Sequence, residues 1–190
     1  MKKALFQMVS AVFCLVFVFQ VTVLNAADDK KAAKKSDVIA SFEEESDIDS
    51  WALEGGAEGE MSDKHATEGK KSLKITIPEN TGENYPGILA DDTKFSSLFP
   101  ADWSTYDEFA IDIFNESEAP VMLNWKFKSG TTGKLTKEIN IPKGKAFVMK
   151  IKIKDLKGLE ATDMNYMKIF GSNLPIKVTL YLDNVRLTKK

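Results

Sequence analysis

The sequence has 190 residues, with 26 basic and 28 acidic side chains, a formal net charge of −2, and 43% apolar residues. Such an evenly mixed, slightly acidic chain argues against nucleic acid or an anionic membrane surface as a partner. One cysteine is too few for a disulfide within the chain, so a packed core must stabilise the fold.

Residues 1–26 have the order of a secretory signal peptide, with Lys2 and Lys3 followed by an apolar run and then small residues. The apolar run is too short to be a clear membrane span, so we predict cleavage, with an uncleaved anchor as the alternative. The remaining 164 residues lack both of those lysines and carry a net charge of −4. We therefore expect a secreted or periplasmic protein with no membrane contact after cleavage and no thiol, since Cys14 leaves with the signal.

Residues 27–37 contain mainly alanine and charged side chains, and little in them can be buried. This composition predicts a flexible charged linker, with a short helix that docks on a partner as the alternative. The spacing beyond it shows no internal repeat and no second domain, so we predict a single domain over residues 38–190.

The rest of the chain has short runs in which apolar and polar residues alternate, separated by Gly, Pro, Asn and Asp, which is typical of strands. The runs that predict strands are 38–43, 51–53, 72–77, 85–90, 109–115, 121–128, 134–141, 145–153, 167–170 and 177–187. Residues 142–145 are expected to form a tight hairpin connection. We predict a loop over 91–100 and a locally helical crossover over 154–163.

Alternation also predicts which side chains face the core. In the run that begins at Val121, the inward set is Val121, Leu123, Trp125 and Phe127, whereas Met122, Asn124 and Lys126 face outward. Nine or ten short strands with no long helix predict an all-β fold, an antiparallel two-sheet β-sandwich in jelly-roll order.

Several short motifs occur in a recognisable order. They are Phe42–Glu43, Trp51, residues 69–73, 102–107 and 115–117, then 142–144 and 181–187. Their order and spacing resemble the galactose-binding-domain-like jelly-roll carbohydrate-binding modules of the calcium-containing type, over nearly the whole of the predicted domain. The resemblance implies a monomeric, non-catalytic β-sandwich that binds a polysaccharide or oligosaccharide.

The same resemblance implies a structural calcium ion near the two ends of the domain. Its ligands would be the Glu43 carboxylate, the Lys71 backbone carbonyl and the Asp183 carboxylate. A hard cation prefers several oxygen ligands, and carboxylates from both ends of the chain would hold the sandwich closed. The alternative is that Glu43 and Asp183 are ordinary surface acids.

Sugar binding needs an aromatic ring for the apolar face of the sugar and polar groups for its hydroxyls. Tyr85 lies in an irregular segment and is the best aromatic candidate. Asn124 and Lys126 point outward from their strand, and Asp112 joins them if the two strands are neighbours. We predict a glycan site at these four residues, with the plain polar exterior of a structural or protein-interaction sandwich as the alternative.

Residues 110–116 also resemble the catalytic strand of the laminarinase-like retaining glycosidases. That chemistry needs two carboxylates about 5–5.5 Å apart, but Ala110 occupies the position of the nucleophile. The only histidine, His65, has no cysteine or triad motif to act with. We therefore predict no catalytic residue, and regard a glycosidase as the least favoured alternative.

Overall fold

A computed structural model describes residues 34–80 and 84–190. The predicted signal peptide and residues 27–33 of the predicted linker lie outside these ranges. No helix in the described part of the chain is long and apolar enough to cross a membrane.

The described residues form eleven strands and two short helices. The strands are β1 (Ser36–Ala40), β2 (Ala52–Glu54), β3 (Glu58–Ser62), β4 (Ser72–Ile77), β5 (Gly87–Asp91), β6 (Tyr106–Asn115), β7 (Val121–Ser129), β8 (Gly133–Ile141), β9 (Ala146–Lys152), β10 (Met164–Phe170) and β11 (Val178–Lys189). The helices are α1 (Ser46–Asp49) and α2 (Asp92–Leu98).

The strands form two antiparallel sheets. The six-stranded sheet has the order β3-β4-β11-β6-β9, with β1 also paired to β11, and the five-stranded sheet has the order β2-β5-β10-β7-β8. Most neighbouring strands within each sheet come from distant parts of the sequence, as expected of a jelly roll, and the exceptions are the consecutive pairs β3–β4 and β7–β8. The predicted all-β, two-sheet sandwich is confirmed.

The core lies between the sheets, where the alternation of each strand places its apolar side chains. Val121, Leu123, Trp125 and Phe127 are all at most 4% exposed, whereas Met122 between them is 51% exposed. This confirms the predicted inward and outward faces of β7. The buried aromatic rings pack in tilted or edge-on pairs, as between Trp125 and Phe127 with centroids 4.8 Å apart.

The predicted hairpin at residues 142–145 is wrong, because β8 pairs with β7 and β9 pairs with β6 in the other sheet. The segment crosses from one sheet to the other. The buried amide of Asn115 donates to the Ile141 carbonyl (3.2 Å), and the Asn115 carbonyl accepts from the Gly144 N–H (2.8 Å). The Pro and Gly of this segment correctly predicted a turn, but they did not predict that β8 and β9 pair with different strands.

Other elements also differ from the prediction, and strand β3 (Glu58–Ser62) was not predicted at all. Residues 92–98 form α2 rather than a loop, because Phe95 and Phe99 are four residues apart and are both buried at 3% exposure or less. The predicted helical crossover over 154–163 contains only a single 3₁₀ turn, at Ile153–Asp155. Strand β1 begins at Ser36, two residues inside the predicted linker.

Candidate functional site

The outer face of the five-stranded sheet carries a cleft of about 370 Å³, which we call the Tyr85 cleft. The register of β7 and β10 places their outward side chains side by side, with Asn124 opposite Phe170 and Lys126 opposite Lys168. The side chains that line the cleft include Tyr85, Asn124, Lys126, Tyr166, Lys168 and Phe170. Three of the four predicted glycan-site residues thus lie together.

An aromatic pair forms one side of the Tyr85 cleft. The Tyr85 ring is 44% exposed and meets Phe170 edge-on, with centroids 5.5 Å apart and planes at 77°. The Lys168 ammonium lies 5.3 Å from the Phe170 ring centroid. The pair therefore presents solvent-accessible aromatic surface beside cationic hydrogen-bond donors, which is an arrangement that can hold a ring with one apolar face and a polar rim.

Burial and charge shift the titration of two groups here. Burial, with smaller contributions from Glu54 and Asp91, raises the pKa of Tyr166 to about 12, so its hydroxyl stays a neutral donor and acceptor. Burial is also the largest cause that lowers the pKa of Lys126, followed by the nearby positive charges of Lys128, Lys134 and Lys168.

The placement predicted for Asp112 is wrong. Asp112 lies on β6 in the six-stranded sheet, whereas Asn124 and Lys126 lie on β7 in the other sheet. Its Oδ1 accepts from Arg186 (2.8 Å), and its Oδ2 accepts from the Thr67 hydroxyl (2.8 Å) and the Asn184 amide (3.0 Å). The carboxylate therefore organises its own sheet instead of joining the Tyr85 cleft.

The contacts of β6 also bear on the glycosidase alternative. Ala110 is 1% exposed and supplies no carboxylate at the nucleophile position. Glu116 accepts from the Tyr181 hydroxyl (2.7 Å) and pairs with Lys64 (3.3 Å). The Tyr181 bond is the largest of the causes that lower the pKa of Glu116, so this carboxyl favours the ionised form rather than the protonated acid that glycoside hydrolysis needs.

A second cleft, also of about 370 Å³, lies on the six-stranded sheet, and we call it the His65 cleft. The His65 ring stacks on Phe114, with centroids 3.5 Å apart and planes at 9°, and Phe147 and Val148 complete its apolar wall. This cleft was not predicted from the sequence. The available signal was Phe114, an aromatic residue at an outward position of an alternating strand.

The residues predicted to hold calcium lie around one loop, residues 63–71, between β3 and β4. Glu43 Oε1 accepts the backbone N–H groups of Lys70 and Lys71, both at 2.8 Å. Asp183 is 1% exposed, and its Oδ2 accepts the N–H groups of Thr67 (2.5 Å) and Glu68 (2.8 Å). Two carboxylates from opposite ends of the domain therefore hold the same loop.

This arrangement does not fit a calcium site as it stands. The loop presents N–H donors to both carboxylates, whereas a cation needs oxygen atoms that are free to coordinate it. No group of three or more His, Cys, Asp or Glu side chains within residues 34–80 and 84–190 is placed to hold a metal ion. The expectation of calcium therefore rests on the resemblance alone, and the contacts of Glu43 and Asp183 do not support it.

The architecture defines a jelly-roll β-sandwich. Its similarity to solved structures is at low sequence identity and concerns the fold. The chain is 15% identical, over 82% of its length, to the family 11 carbohydrate-binding module from Clostridium thermocellum in complex with a β-1,3-1,4-mixed-linked tetrasaccharide, with a TM-score of 0.60 and 96% of that module covered. It is 18% identical to the CBM22-1 xylan-binding domain of Paenibacillus barcinonensis Xyn10C, with a TM-score of 0.56, 84% of this chain covered and 99% of that domain.

An exo-β-agarase also matches, at 15% identity and a TM-score of 0.61, over 74% of this chain. The match spans only 23% of that agarase chain. No protein-family model matches the sequence, and no curated protein matches it significantly. The matches to the two carbohydrate-binding modules show that the chain has the fold of such modules.

Proposed function

We propose that this protein is an exported, non-catalytic module that binds a glycan in the Tyr85 cleft. The observation that carries the proposal is the aromatic pair of exposed Tyr85 and half-buried Phe170, which lies beside Asn124 and two lysines on the outer face of a sheet. The structures of similar fold that bind a mixed-linked tetrasaccharide or xylan support it.

Each part of the cleft has a role in this proposal. The apolar face of a sugar packs on the rings of Tyr85 and Phe170, because this contact removes apolar surface of both the sugar and the rings from water. The Asn124 amide can donate and accept hydrogen bonds, whereas Lys126 and Lys168 can only donate them. These three side chains form hydrogen bonds with the hydroxyls of the sugar. The volume of about 370 Å³ is within the usual range for a small-ligand site.

Affinity electrophoresis against plant, algal and microbial polysaccharides tests the proposal. The wild type is retarded by at least one polymer, and Tyr85→Ala lowers its affinity roughly tenfold, since an aromatic contact contributes about 0.5–1.5 kcal/mol beyond its buried area. Val148→Ala is the matched control, because Val148 is also exposed (45%) but lies on the other sheet. No retardation by any polymer, or equal effects of both substitutions, contradicts the proposal.

The exported and non-catalytic parts of the proposal have separate tests. The mass of the protein recovered from the medium or periplasm should correspond to loss of residues 1–26. Incubation with the polymer that binds should release no reducing sugar. Retention of the full-length chain in the cytoplasm contradicts the first expectation, and steady release of oligosaccharides contradicts the second.

A protein-interaction module is the second candidate function, and the His65 cleft favours it. Phe114, Phe147 and exposed Val148 line this cleft beside the edge strand β9. Concentration-dependent association in sedimentation velocity that Val148→Lys abolishes, without glycan binding, supports this second function. A monomer at every concentration that binds no glycan contradicts glycan binding and also contradicts self-association through the His65 cleft.

A further inference from the structure

Four lysines gather on the outer face of the five-stranded sheet, within and next to the Tyr85 cleft. Lys126 and Lys128 are two residues apart on β7 and share its outward face. Lys168 of β10 lies opposite Lys126, and Lys134 of β8 lies opposite Lys128. The register of three neighbouring strands thus creates two like-charged cross-strand pairs side by side.

Like charges directly opposite each other destabilise a sheet. Lys168 is compensated, since its ammonium lies 2.7 Å from Glu54 Oε2. None of the ion pairs within the described ranges involves Lys126, Lys128 or Lys134, so these three side chains have no acidic partner there. We call these three side chains the lysine triplet.

Two other acids occupy the same face but do not neutralise the lysine triplet. Asp91 lies opposite Tyr166, and Glu138 lies opposite Asn124, and neither forms an ion pair with the triplet. The lowered pKa of Lys126 agrees with this geometry, because burial and three neighbouring positive charges both disfavour its charged form. An acidic chain that concentrates uncompensated positive charge in and next to one cleft is suited to an anionic ligand.

Aromatic surface lies directly beside this charge. The Lys128 ammonium is 4.1 Å from the Tyr166 ring centroid, and that of Lys126 is 6.0 Å away. Tyr85 and Phe170 form the aromatic pair of the same cleft. A ligand that uses both features must combine an apolar ring face with anionic groups.

We propose that the glycan recognised in the Tyr85 cleft is an acidic polysaccharide, whose sugar units carry carboxylate or sulfate groups that pair with the lysine triplet. This inference rests on the proposed glycan-binding function and names its ligand class. Rings of such a polymer stack on the aromatic pair, while its anionic groups lie along the lysines of β7 and β8. Sulfate and carboxylate share the chemistry that the lysines recognise, so the experiment must distinguish them.

The test measures binding to a neutral β-glucan, a polyuronate and a sulfated galactan, with polyglutamate as a polyanion that has no sugar ring. We expect at least about tenfold tighter binding to one acidic polysaccharide than to the neutral glucan or polyglutamate. Raising NaCl from about 0.01 M to about 0.15 M shortens the Debye length from about 30 to about 8 Å, so the affinity should fall. Preference for the polyuronate or for the sulfated polymer identifies the anionic group.

The double substitution Lys126→Gln with Lys128→Gln removes two charges from the lysine triplet. We expect it to weaken acidic-polymer binding at least about tenfold. Lys145→Gln with Lys157→Gln removes the same net charge at two exposed sites outside the cleft and should leave binding unchanged. The melting midpoint of the first variant should be no lower than that of the wild type, because like-charge repulsion is relieved.

The outcomes separate this inference from the proposed function. Binding to the neutral glucan alone, lost in Tyr85→Ala, overturns the acidic ligand and leaves the function intact. Binding to polyglutamate as tight as to the acidic polysaccharides overturns it too, since no sugar is then recognised. Equal losses in both double variants also overturn it. Failure of all polymers to bind overturns the proposed function, and this inference with it.

Discussion

Replacing Asp183 by alanine should loosen the loop over residues 63–71 and destabilise the whole domain. The side chain is 1% exposed, and three backbone N–H groups donate to its two oxygens, from Thr67 (2.5 Å), Glu68 (2.8 Å) and Asn184 (2.7 Å). A hydrogen bond to a charged group contributes about 1.5–3 kcal/mol, and an unpaired N–H left behind adds to the loss. Water can hydrogen-bond to the N–H groups of a loosened loop and so offsets part of this loss. We therefore expect the free energy of unfolding to fall by about 4 kcal/mol.

For a domain of this size, about 1 kcal/mol shifts the melting midpoint by about 2–4 °C, so the expected fall is about 8–16 °C. Circular dichroism melts of Asp183→Ala and Asp63→Ala measure it. Asp63 lies on the same loop and is exposed, so its substitution should stay within about 0.5 kcal/mol of the wild type. Equal midpoints for the two variants would refute the assignment of Asp183 as the anchor of the loop.

Further predictions concern acid stability, metal dependence, the core and sheet packing. Hydrogen bonds from the Lys71 and Lys70 backbone N–H groups hold the pKa of Glu43 below its ordinary value of 4.5. The stability that Glu43 adds to the folded domain is therefore full above that pH and is lost as the pH falls through the lower pKa of the folded state. The difference in urea midpoint between wild type and Glu43→Gln should therefore shrink below about pH 4.5. EDTA should leave the melting midpoint unchanged, because both carboxylates already accept N–H groups; a fall that Ca²⁺ restores would show that they rearrange around the ion. Trp103→Ala should lower the free energy of unfolding in urea by about 3–5 kcal/mol, since Trp103 is fully buried. Tyr85→Ala should lower it by less than about 1 kcal/mol, since Tyr85 is exposed. Gly87→Ala should destabilise by about 1–3 kcal/mol in the same assay, because its Cβ would lie 2.7 Å from the Phe170 Cα; an unchanged midpoint would contradict this packing.

The sequence predicted the β-sandwich because alternation is a local property of each strand. In β7 it placed Trp125 inside and Asn124 and Lys126 outside, and the structure agrees. Tyr85 was chosen as an aromatic residue of an irregular segment and not by alternation, and this segment leads into β5.

Sheet membership was beyond the reach of alternation, because the pattern tells which side of a strand a residue occupies but not which strands are neighbours. Asp112 was therefore assigned to the wrong sheet. The His65 cleft was missed because it requires the loop over residues 63–71 to fold back across β6. The two carboxylates that hold that loop, Glu43 and Asp183, are 140 residues apart in sequence, and only the resemblance brought them together.

The four lysines in and next to the Tyr85 cleft were also predictable only in part. Lys126 and Lys128 were predictable as outward residues of one strand. Lys134 and Lys168 become their neighbours only through the registers of β8 and β10 with β7. Register depends on the packing of the whole sandwich rather than on local sequence.

Amide chemical-shift mapping during titration with a bound polysaccharide tests the central claim most directly. Binding in the Tyr85 cleft predicts that the largest shifts fall on Asn124, Lys126, Lys168 and Phe170, on the outer face of the five-stranded sheet. Shifts that cluster instead at His65 and Val148 on the opposite sheet would contradict the account.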